Sequence, residues 1–88
     1  MKHDNPLSMI GRAINAQRVA MGQKQGDLAD NVGITQTYLS LIENGHKLLS
    51  LPTLWSICVC LEVPMSRIIQ LAEDIYYHNR RRRHDQAV

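Results

Sequence analysis

Eighty-eight residues allow one domain with a modest core that needs no covalent staples. Apolar residues make up 44%, with no Phe and a single Trp, so the expected core is aliphatic and built from packed helices. The formal charge of +2 hides a division: residues 1–79 carry six Lys/Arg against seven acids, and Arg80 to Arg83 against Asp85 supply the rest, which excludes polyanion binding by bulk charge and leaves only local placement.

Cys58 and Cys60 stand two apart in a predicted helix and point to different sides, so they cannot pair. They read as small buried hydrophobes in a reducing compartment, and no Cys-His spacing suggests zinc. No long apolar run follows Lys2, so nothing indicates export or membrane insertion. The expectation is a soluble cytoplasmic protein without metal or cofactor.

Asn5-Pro6 reads as a helix start, with Asn5 capping, Pro6 in the first turn and Ser8 as an alternative cap. This first helix is expected to run to about Met21, with Ile10, Ala13, Ile14 and Met21 as its apolar stripe, and to end at Gly22. A second short helix is predicted over about 25–31 and a third over about 36–44. Their apolar residues, Leu28, Val32, Leu39 and Ile42, keep helical spacing on either side of Gly33-Ile34-Thr35. Gly33 reaches a left-handed conformation at little steric cost, Thr35 can cap the next helix, and the small Ala29 permits a close crossing. Two short helices crossing steeply through a glycine turn make a helix-turn-helix over about 25–45.

Gln25, then Leu28-Ala29, then Val32-Gly33-Ile34-Thr35, then Leu39-Ser40, and last Ile42-Glu43-Asn44-Gly45 carry a resemblance. Together with Arg18 seven residues before Gln25, this order resembles the Cro and phage-repressor (XRE) family of DNA-binding domains. The likeness is densest over 25–45 and extends more loosely over about 10–69. It implies that Arg18 pairs with Glu43, and a guanidinium fork suits a carboxylate through two parallel hydrogen bonds. It also implies that Gln25 braces Gln36 and touches phosphate.

The sequence departs from the family in several places. Gln17 and Gln23 stand where apolar residues are usual, Lys24 replaces a Ser or Thr cap, and Gly26 lies in the first turn of the second helix. Leu41 and Val59 stand where relatives carry polar residues, and Leu48-Leu49 replaces a loop that often holds a proline.

The third helix is the candidate recognition helix. An amide such as that of Gln36 donates and accepts at once and so matches adenine N6 and N7, while Thr37 and Ser40 can reach base edges or a thymine methyl. Thr35, Asn44 and Lys47 are candidates for backbone contact or bracing, which sets register without reading sequence. Tyr38 has two readings: a hydroxyl on phosphate, or a ring packed beside the second helix.

Ser50 is expected to cap a fourth helix with Pro52 early in it. Leu51, Leu54, Ile57, Cys58 and Leu61 are assigned to its core face, and Trp55 and Val59 to a second strip. After the Val63-Pro64 break, a fifth helix is predicted over about 65–77. It carries more apolar surface than a terminal helix buries on one side. Trp55, Val59, Ile68, Leu71, Ala72 and Ile75 are therefore assigned to a two-fold interface, the other reading being that they complete the monomer core. Residues 80–88 form a basic tail beyond a single domain of residues 1–79. Arg80, Arg81, Arg82 and Arg83 either lie along phosphates or serve as a solvated tail.

The expectation is an all-α, five-helix, repressor-type domain acting as a homodimer on double-stranded DNA. The rival expectation is an antitoxin-like module whose C-terminal apolar helix sequesters another protein. An enzyme is not expected: the four histidines are scattered and no nucleophile or phosphate-loop motif occurs.

Overall fold

A computed structural model describes the backbone of residues 5–87 and the side chains of residues 5–81. After a 3-10 turn, Pro6–Ser8, come α1 (Met9–Ala20), α2 (Gln25–Val32), α3 (Gln36–Glu43), α4 (Leu51–Cys60) and α5 (Met65–Ala87), with no strand among the described residues.

The helix ends have local causes. Asn5 caps the 3-10 turn, its Oδ1 accepting from the Leu7 amide at 2.9 Å, and the α-helix proper begins only at Met9. Gly33 closes α2 at φ +88°, and the amides of Gly33 and Ile34 both donate to the Ala29 carbonyl, at 2.9 and 3.0 Å. Thr35 then caps α3, its hydroxyl accepting from the Tyr38 amide at 3.0 Å. Ser50 caps α4 in the same way, accepting from Thr53 at 3.2 Å. The end of α4 is unusual, because Glu62 takes the left-handed conformation at φ +58° without being glycine. Such a conformation costs a side-chain-bearing residue roughly 1–2 kcal/mol.

Ile14, Leu28, Leu39, Ile42, Ile57, Leu61 and Ile68 are fully buried in one core, each stabilising the fold by about 1.5–3 kcal/mol. Helix α5 packs along α1, α3 packs on both α1 and α2, and α4 packs on α2 and α5. The crossing of α1 over α3 is too close for a side chain at Gly11. Gly11 is buried there, and a Cβ on it would fall on the Ile42 carbonyl oxygen. No single helix among the described residues is long and apolar enough to cross a membrane.

Four expectations need correction. Met21 and Leu51, assigned to the core, are exposed: Met21 sits past the last turn of α1, and Leu51 lies on the row of α4 that faces solvent. Ile68 and Ala72, assigned to a two-fold interface, are 0% and 5% exposed. They lie on the inner face of α5 and belong to the core of this chain. Leu71 and Ile75 are half-buried against the same core, so α5 buries more than one stripe within the monomer. Finally, α5 does not stop near Tyr77. Its backbone continues through the arginine run to Ala87, since Arg, His, Asp, Gln and Ala sustain a helix and no Gly or Pro interrupts it.

Candidate nucleic-acid interface

The exposed face of α3 carries Gln36, Thr37 and Leu41, with Ser40 half-buried between them. Gln25, at the start of α2, lines the same shallow recess as these four. The two glutamines meet, Gln36 Nε2 donating to Gln25 Oε1 at 3.4 Å. The other end of the Gln25 amide is held from inside, its Nε2 donating to Glu43 Oε1 at 3.1 Å.

Glu43 is the hub of this arrangement. It is one of the few buried polar residues, at 5% exposure, and its carboxylate receives four hydrogen bonds. Arg18 grips both oxygens, Nε on Oε2 at 2.8 Å and Nη2 on Oε1 at 2.9 Å. Asn15 Nδ2 donates to Oε1 at 2.8 Å. Arg18 is anchored in turn, its Nη1 donating to the Gln23 carbonyl at 2.7 Å. Burial alone pushes the Glu43 carboxyl up, but the bonds from Arg18, Asn15 and Gln25 and the Arg18 charge outweigh it, holding it below its ordinary value. The bond to Glu43 likewise raises the Arg18 pKa, against the opposing effect of burial.

The result is a continuous polar chain, from α1 through the end of α3 to α2 and out to the first residue of α3. A buried carboxylate is costly unless it is paired and hydrogen-bonded, and this one accepts three bonds on Oε1 and one on Oε2. The satisfied carboxylate fixes which way the Gln25 amide points, and that in turn presents Oε1 to Gln36.

Other site residues are placed less closely. Thr35 is exposed and engaged in its cap. Asn44, the C-cap of α3, is exposed and donates to the Ser40 carbonyl at 2.9 Å. Lys47 stands exposed in the loop after α3. The Tyr38 ring is half-buried against the core. Trp55 and Val59 are far more open, at 64% and 63% exposure, and with Leu51 at 70% they form an apolar row along the outside of α4. Arg80 is tied to its own helix, with Nη1 donating to the Tyr76 hydroxyl at 3.0 Å and its guanidinium 5.6 Å from the Tyr76 ring centre. Arg81 is exposed, and the side chains of Arg82 and Arg83 lie outside the described residues.

Sequence reasoning missed Asn15 and the closeness of Gly26 to Gln36. Asn15 lies one turn before Arg18, on the same helix face, which is the available signal. A Cβ on Gly26 would lie 3.2 Å from Gln36 Oε1, so this glycine borders the recognition side chain. No group of three or more His, Cys, Asp or Glu among the described residues could hold a metal.

The model of the HTH_3 family, described as helix-turn-helix, matches residues 14–68. No curated protein matches the chain. Among solved structures, a crystal structure of the clp gene regulator ClgR from Corynebacterium glutamicum is similar at TM-score 0.87 and 23% identity, over 98% of this chain and 90% of that one. A second ClgR structure gives 0.77 at 26% identity, over 80% and 91%. The restriction-modification controller protein C.AhdI from Aeromonas hydrophila gives 0.67 at 24% identity, over 70% and 94%. With the family match spanning more than half of its length, the chain belongs to the HTH_3 helix-turn-helix family and is a DNA-binding transcriptional regulator.

Proposed function

We propose that the protein is a repressor that binds a partly palindromic operator as a homodimer, reading bases through Gln36, Thr37 and Ser40. The observation that carries this reading is the hydrogen-bond chain from Glu43 through Gln25 to Gln36. One Nε2 hydrogen of Gln36 is engaged by Gln25, which leaves the other hydrogen and Oε1 for a base. That donor and acceptor pair suits adenine N7 and N6 in the major groove. Leu41 adds apolar surface beside them, suited to a thymine methyl. Gln25, Thr35, Asn44 and Lys47 flank the face as backbone contacts, Tyr38 adds its hydroxyl, and Arg81 extends the positive surface along α5.

A recognition helix of eight residues reads few base pairs, so affinity requires two half-sites roughly 34–36 Å apart. The exposed row Leu51, Trp55 and Val59 is the surface we assign to the two-fold contact. The same row favours one alternative, capture of a different small protein. Sedimentation separates them: a strict monomer at tens of micromolar removes the homodimer.

Selection of bound duplexes from random DNA tests the reading of bases. The expected product is an inverted repeat with adenine in each half, relaxed at that position by Gln36→Ala at a cost of about 1–3 kcal/mol in discrimination. A folded protein that enriches no motif at low salt would overturn it.

A further inference from the structure

Gly26 has no backbone reason to be glycine. It lies inside the first turn of α2 and is not among the residues with positive φ. There a glycine destabilises a helix relative to alanine. Space does not require it in the core either, because a Cβ at this position would meet only one neighbour within 4 Å. That neighbour is the amide of Gln36, with Oε1 at 3.2 Å and Cδ at 3.7 Å.

We infer that Gly26 is a specificity-determining position, whose missing side chain lets the recognition glutamine lie back against α2. The inference rests on the proposed reading of bases by Gln36. Its physical content is the lack of slack in the Gln36–Gln25 bond. At 3.4 Å that bond is already at the long limit for a hydrogen bond. A methyl group at 26 pushes Gln36 Oε1 away from α2 by a few tenths of an ångström, enough to carry Nε2 out of reach of Gln25. A leucine pushes it further. Once free of Gln25, the Gln36 amide can rotate, and it then offers donor and acceptor in either order. The preference for adenine falls while the rest of the interface stays in place.

The inference makes stability and specificity move in opposite directions, which a merely structural glycine would not do. The test uses the full chain with Gly26→Ala and Gly26→Leu, measuring thermal unfolding and base preference in competition on the selected duplex. The expected result is an unchanged or higher Tm for Gly26→Ala, with a several-fold loss of discrimination at the Gln36 base that deepens for Gly26→Leu. Gln36→Ala should then remove less discrimination from each Gly26 variant than from the wild type, and least from Gly26→Leu. Full discrimination in both Gly26 variants, with Gln36→Ala still relaxing it, would overturn the role of Gly26 and leave the proposed reading standing. A wild-type protein that shows no base preference would remove that reading, and this inference with it.

Discussion

The two sides of this small domain solve opposite problems. Around Glu43, three helices bury a charge and satisfy it completely, with Arg18, Asn15 and Gln25 all donating to one carboxylate. On the outside of α4, Leu51, Trp55 and Val59 leave large apolar surfaces in solvent. The first region is closed within the chain, with its carboxylate buried and its donors half-buried around it. The second is unfinished, with its apolar residues outside. In the proposed function the polar hub holds side chains toward DNA and the apolar row meets a second protein surface.

The contrast breaks most sharply at Gly11. Alanine there drives a methyl into the Ile42 carbonyl, so α1 and α3 must separate and the hub with them. Gly11→Ala should cost about 3 kcal/mol or more, seen as a large drop in the urea midpoint. Next comes the hub itself. Glu43→Ala leaves the partly buried Arg18 guanidinium without its carboxylate and should cost about 3 kcal/mol. The same hub should make stability depend on acid. Because the folded Glu43 titrates below its ordinary value of 4.5, its contribution is complete above that pH and is lost as pH falls through the native pKa. Unfolding measured between pH 3 and 6 should show this slope in the wild type and a weaker one in Glu43→Gln.

Substitution on the open side should do the reverse. Trp55→Asp should leave the circular dichroism unchanged yet weaken self-association at least tenfold by sedimentation, because Trp55 makes little of the monomer core. The smallest effect belongs to Glu62, exposed at φ +58°. Glu62→Gly should raise stability by roughly 0.5–1 kcal/mol, since glycine carries no left-handed penalty there, partly offset by its looser unfolded chain.

Much of this was legible in the sequence. The glycine turn at 33, the caps at Thr35 and Ser50 and the apolar spacing each have a local cause, so they could be read without tertiary context. The hub was half legible: the Arg18–Glu43 pair was expected from family resemblance, whereas Asn15 offers only its spacing from Arg18 and becomes a hub member only when α1 meets the end of α3. Gly11 and Gly26 were opaque for the same reason. Both look like ordinary helix weaknesses until the neighbour across the gap is known. Ile68 and Ala72 misled because an apolar stripe does not say whether it faces its own core or a partner. The end of α5 misled because charge was taken as the end of structure, although arginine is a good helix former.

In the proposed function the interior fixes the orientation of Gln36 through Gln25. A double-mutant cycle of Gln25→Ala and Gln36→Ala, measured as binding free energies on the selected duplex, addresses it directly. Coupling of about 0.5 kcal/mol or more, vanishing when the adenine opposite Gln36 is replaced, is the expected result. Losses that simply add would mean that the two glutamines act independently, and the chain from Glu43 to the base would then have no functional meaning.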